Sequence, residues 1–127
     1  MEETGRFSWR KRAKSFRYAW NGIVWLLRTA HNARIHCVVA VAVIVAGCLL
    51  HISPGEWAVV VLCIGAVLAA EAFNSAIESL ADRVTREQDD AICHVKDLAA
   101  GAVLLVAVAV VAAGLWIFLP KIIGLFA

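Results

Sequence analysis

The sequence predicts an all-α integral membrane protein, in which an amphipathic surface helix precedes three membrane-spanning helices. Three observations carry that prediction. Hydrophobic residues make up 62% of the 127 and charged residues only 17%, whereas a soluble domain is nearer half apolar and a quarter charged. The apolar residues come in runs, Cys37 to Leu50, Trp57 to Ala70 and Leu98 to Leu119, instead of recurring once per helical turn. Most of the cations are gathered ahead of the first run.

The first element is a helix over residues 6–28. Trp9, Ala13, Phe16, Trp20, Ile23 and Leu27 recur at spacings of four, three, four, three and four, which is one apolar stripe of a helix; Arg10, Lys14, Arg17 and Arg28 fall off it. Such a helix lies in the membrane interface, its stripe in lipid and its cations against anionic headgroups. The segment lacks an early apolar core followed by a small-residue cleavage site, so it is not read as a secretory signal and nothing is expected to be removed.

The first span covers 32–51, entered through Arg34, Ile35 and His36. The second covers 57–82, because the run ending at Ala70 continues helically into Glu71. The third covers 90–119, and its uncharged part from Leu98 to Leu119 measures about 33 Å against about 30 Å of hydrocarbon. Arg6, Arg10, Lys11, Arg12, Lys14, Arg17, Arg28 and Arg34, eight of the 12 Lys and Arg, precede the first span. The positive-inside rule therefore puts the N-terminus in the cytoplasm. The connection His51 to Glu56 carries no Lys or Arg and reads as an external turn, while Arg83, Arg86 and Lys96 return the next connection to the cytoplasm.

Other functions fit poorly. Nucleic-acid binding is excluded because the cations form one face of a membrane helix and the net charge is only +2. His31, His36, His51 and His94 form no metal-ligand spacing and read as interfacial side chains. Cys37, Cys48, Cys63 and Cys93 read as free thiols acting as small hydrophobes. An ion channel needs polar residues at matching depth on several spans, and the centres of the first and third have none.

The stretch Glu71 to Asp82 carries the chemistry. Glu71, Asn74, Glu78 and Asp82 are spaced by three, four and four, so they share one face of a helix. With Trp57 at the outer boundary, Glu71 sits about 21 Å inward, still within the hydrocarbon. A carboxylate there costs on the order of a few kcal/mol, and a stripe of acids needs a positive partner. Lys96 and Asp97 stand at the start of the third span, near the level of Glu78. Carboxylates to hold a divalent ion, a lysine to offset phosphate charge and a base for a hydroxyl are the parts of phosphoryl transfer. Glu71 lies about 10 Å deeper than Glu78, so Glu71 suits a lipid hydroxyl and Glu78 a nucleotide. No Walker A or kinase-type glycine loop is present. Three helices cannot enclose nucleotide, metal and lipid, so an oligomer is expected, with Ala66, Ala69, Ala70, Ala99, Ala100 and Gly101 allowing close approach.

Four motifs spread along nearly the whole chain resemble the prokaryotic diacylglycerol kinase family: Ser15 to Gly22 (SFRYAWNG), Asn32 to His36 (NARIH), Glu71 to Glu78 (EAFNSAIE) with Asp82, and Val95-Lys96-Asp97 with Ala100-Gly101-Ala102. The resemblance implies a homotrimeric helical bundle in the cytoplasmic (inner) membrane, phosphorylating diacylglycerol or undecaprenol with ATP and Mg2+ at sites between protomers. It implies Glu71 as catalytic base and Glu78 as metal ligand. It also implies Lys96 and Asp97 at the nucleotide, Asn74 and Asp82 in support, and Tyr18 and Glu87 as further nucleotide contacts.

The sequence departs from that pattern at Ala30, where the family has an acidic residue sharing the metal with Glu78. His31 is set about 100° around a helix from Ala30 and does not replace it. A degenerate, non-catalytic member is therefore one alternative. The runs Asn32 to His36 and His51 to Trp57 look more like the undecaprenol kinase branch, which makes undecaprenol the favoured acceptor and diacylglycerol the alternative.

Overall fold

The computed structural model describes residues 5–127, and these form four helices: α1 (Trp9–Thr29), α2 (His31–Leu49), α3 (Pro54–Val84) and α4 (Asp90–Phe126). α2, α3 and α4 are each long and apolar enough to cross a membrane, and α1 precedes them. α3 packs most extensively against α4 and next against α2; α1 touches the others only lightly.

α1 starts at Trp9 because Ser8 caps it, its hydroxyl accepting from Lys11 N–H; Arg6 and Phe7 lie before the helix. The stripe of Trp9, Phe16, Trp20 and Ile23 is exposed, as is Trp25. Only Leu26, near the end, is buried. Most of the stripe is thus left uncovered by the rest of the chain, as a helix lying in an interface requires; only near its end, at Ile23 and Leu27, does it approach the other helices.

Ala30 separates α1 from α2. Its backbone is extended (φ −99°, ψ 111°), it closes α1 through its N–H to Leu26 O, and it opens α2 by accepting from Arg34 N–H. Its side chain offers α2 no cap. The expected 100° offset of His31 from Ala30 assumed one continuous helix, and the break removes that relation.

α2 ends in a tight reversal. Ile52 N–H donates to Gly47 O at 3.2 Å while His51 adopts φ 51°, the left-handed geometry of a Schellman cap filled here without glycine. Ser53 then caps α3: its hydroxyl accepts from Glu56 N–H, Glu56 Oε1 accepts from Ser53 N–H at 2.9 Å, and Pro54 occupies the first turn. The same Glu56 oxygen lies 3.2 Å from Lys121 Nζ on α4, which ties the three helices together at this end. Ile52, Val60 and Ile117 form a small core beside it, with Trp57, Val43 and Phe118 packed around. α4 continues through Pro120 to Phe126, past the Leu119 boundary expected for the third span; a proline removes a single helical donor, and Lys121 anchors the turn that follows.

Away from the Ile52, Val60 and Ile117 core, small residues, Ala33, Gly47, Ala81 and Ala99, are among those buried, and large side chains such as Leu105 and Trp116 face outward. That is the pattern of helices packed in lipid, where association relies on close backbone approach. Of the small residues expected at close approaches, Ala99 is buried within the chain, while Ala66, Ala69 and Ala100 are exposed.

Candidate active site

One face of α3 carries Glu71, Asn74, Glu78 and Asp82, and burial falls along it. Glu71 is 2% exposed, Asn74 is half-buried, and Glu78 and Asp82 are exposed. α3 is 31 residues long, about 46 Å, so its last turns outrun a hydrocarbon core of about 30 Å. The stripe therefore passes from an apolar to a polar setting.

Glu71 is the sole charged or polar residue buried among the described residues. Its Oε1 lies 3.4 Å from His36 Nε2 on α2, a side chain that keeps 24% of its surface exposed. His36, read from sequence as an ordinary interfacial histidine, is thus part of the site. The signal was present: α2 and α3 form a hairpin about the 50–53 turn, and His36 and Glu71 stand at comparable distances from it. One turn further along α3, Asn74 Oδ1 is buried with no hydrogen-bond partner. An unpaired buried amide oxygen in a polar cluster is an acceptor held ready for a donor.

Apolar surface leads to this pair. A cavity of about 280 Å³ runs between α2, α3 and α4 from Ile35 and His36 through Val39, Val67 and Cys63 to Ile117 and Phe118. Its walls are apolar apart from His36 and the Cys63 thiol, and all but Phe118 of the apolar side chains are aliphatic.

Toward the other end of the stripe, Lys96 Nζ on α4 lies 2.6 Å from Asp82 Oδ1. Lys96 was expected near Glu78; its direct partner is Asp82, one turn closer to the α3–α4 loop. Glu78 is exposed and takes part in no ion pair among the described residues. Asp97 is exposed on an outward face of α4 beside His94 and Gly101. Glu87 is exposed in the loop, where its N–H donates to Thr85 Oγ1, and Tyr18 is exposed on α1. Within one chain, then, Glu71, Asn74, Glu78, Asp82 and Lys96 follow a single track, while Tyr18, Glu87 and Asp97 point elsewhere.

No group of three or more His, Cys, Asp or Glu among the described residues forms a ready cage for a metal ion. Magnesium does not need one, since it binds through one or two carboxylates together with substrate phosphates and water. Glu78, an exposed carboxylate without a partner, fits that role, and Ala30 contributes no donor.

The model of a family described as prokaryotic diacylglycerol kinase matches residues 17–118. The chain belongs to the prokaryotic diacylglycerol kinase family. This is a family of membrane lipid kinases, and the match spans every residue of the α3 stripe as well as His36, Lys96 and Asp97. The chain is 41% identical over 112 residues to a diacylglycerol kinase of Synechocystis, covering 87% of this chain and 64% of that protein. It is 40% identical over 109 residues to an undecaprenol kinase of Bacillus subtilis, covering 86% of this chain and 89% of that protein. The chain thus spans less than two thirds of the first relative and most of the second. The two identities are too close to choose between the acceptors.

Proposed function

We propose that the protein transfers the γ-phosphate of ATP to the hydroxyl of a membrane lipid, with undecaprenol as the favoured acceptor. The observation that carries the proposal is Glu71, a carboxylate buried about 21 Å along α3 from Trp57 and 3.4 Å from His36, which lines an apolar cavity. A soluble substrate has no route to such a base; a lipid chain lying in the cavity brings its hydroxyl there. The runs Asn32 to His36 and His51 to Trp57, which look more like the undecaprenol kinase branch, are what favour that acceptor.

In this reading Glu71 takes the hydroxyl proton as the lipid oxygen attacks the γ-phosphorus and the bond to ADP breaks. Asn74, with its free carbonyl oxygen, orients the hydroxyl. Lys96, positioned by Asp82, faces phosphate charge, and Asp97, Glu87 and Tyr18 approach nucleotide from a neighbouring copy. Their outward exposure in a single chain supports a site shared between protomers, in a homotrimer. Glu78 would hold Mg2+. Bound there, the ion would offset phosphate charge. The membrane is the cytoplasmic one, with α1 on its inner surface, so that Glu78 and Lys96 reach cytoplasmic ATP.

The test is transfer of radiolabelled phosphate from ATP by the purified protein, with undecaprenol and diacylglycerol offered in parallel mixed micelles. Faster labelling of undecaprenol supports the reading. Faster labelling of diacylglycerol reverses the acceptor, and no labelling of either lipid makes this a non-catalytic member of the family, with Ala30 as its mark.

A further inference from the structure

We infer that His36 is the positioning partner of Glu71: its Nε2, 3.4 Å from Glu71 Oε1, holds that oxygen and leaves Oε2 to take the lipid proton. This inference rests on Glu71 being the base.

The geometry supplies the reasons. Glu71 is almost wholly buried and has one charged or polar side chain against it among the described residues, His36 at 3.4 Å. A buried carboxylate keeps its charge only with a donor beside it. The imidazole also lines the cavity through which the lipid would arrive, so it stands between the base and the outside. A single donor to one oxygen removes the carboxylate's freedom to present either.

Other groups around His36 do not compete for this role. On α2, Arg34 has its guanidinium 3.2 Å from His31 Nδ1, and Cys37 is the adjacent thiol. α3 contributes Glu71 itself and the Cys63 thiol; α4 lines the cavity with Ala107, Val110 and Val111 and offers no titratable group there. α1 meets α2 only at its start, where Arg28 is exposed.

The experiment compares full-length wild type, His36→Gln and His36→Ala in the same micelles at one pH, with saturating MgATP and undecaprenol. Glutamine keeps a donor at this position, so its rate should stay within about threefold of wild type, whereas alanine should lose at least about tenfold in kcat with KM for ATP unchanged. Equal losses in the two variants, or a folded alanine variant with the wild-type rate, overturn the inference. If thermal unfolding shows that the alanine variant does not fold, the glutamine variant decides: a rate near wild type supports the inference, and a loss as large as that of Glu71→Gln overturns it. Glu71→Gln, run alongside, separates the two levels. Wild-type turnover in it removes the base and His36 together, whereas a dead Glu71→Gln beside equal glutamine and alanine rates removes His36 alone.

Discussion

Gly47 sets how closely α2 and α3 approach, and replacing it should loosen the hairpin that brings His36 to Glu71. A Cβ built at Gly47 lies 2.8 Å from Trp57 Cη2, 3.0 Å from Cζ2 and 3.1 Å from Ile52 Cδ1. Ordinary contact begins near 3.4 Å, so in Gly47→Ala the indole must retreat by about 0.6 Å. It has little room, because Trp57 packs against the Ile52, Val60 and Ile117 core. Overpacking of this kind costs about 1–3 kcal/mol, and the middle of that range lowers the folded-to-unfolded ratio about 30-fold. The assay is reversible unfolding by SDS in mixed micelles, followed by circular dichroism, for wild type, Gly47→Ala, Trp57→Phe and the double variant. Removing the outer indole ring vacates the space a Cβ needs, so the double variant should be more stable than the two single costs added together by at least about 0.5 kcal/mol. Additive costs, or a Gly47→Ala protein as stable as wild type, would refute the close approach.

Glu78→Ala should raise the magnesium concentration for half-maximal lipid phosphorylation by about tenfold or more, because it removes the exposed, unpaired carboxylate of the α3 stripe; a magnesium titration of activity checks this, and an unchanged curve moves the metal elsewhere. Ala30→Glu should shift that curve the other way, with the largest gain when magnesium is scarce, since it adds a second oxygen donor at the α1–α2 break. Identical curves for Ala30→Glu and wild type would show that position 30 does not face the ion.

The spans were legible because a membrane imposes a crude rule: about 20 apolar residues in a row, with charge confined to the ends. The stripe of acids on α3 was legible for a similarly simple reason, since spacings of three and four fix a helix face. Contacts between helices were harder. His36 on Glu71 and Lys96 on Asp82 depend on hairpin register, which is set at the two turns by the Gly47 approach, the Ser53 capping box and the 85–89 loop. A shift of one turn exchanges Glu78 for Asp82, and that is the difference found at Lys96.

Ala30 shows another limit. The break there involves neither proline nor glycine and has no side-chain cap, so nothing local announces it. His51 likewise takes a left-handed geometry that usually selects glycine, because Gly47, Ile52 and Trp57 together hold the reversal. In both places tertiary packing decides the backbone, and a single position read alone does not reveal it. Tyr18, Glu87 and Asp97 differ again: the resemblance assigns them to nucleotide, yet within one chain they are exposed and lie off the α3 stripe, so a single chain does not show what they face.

The central claim is that Glu71 is the base for a lipid hydroxyl, and Glu71→Gln tests it most directly. The amide matches the carboxylate in size and still hydrogen-bonds with His36, so burial is retained while the proton acceptor is lost. Transfer of labelled phosphate from ATP to undecaprenol should fall by about a hundredfold or more, and MgATP binding, measured separately by equilibrium dialysis, should stay within about twofold because the nucleotide groups lie about 10 Å away along α3. A Glu71→Gln protein that phosphorylates undecaprenol at close to the wild-type rate would contradict the account.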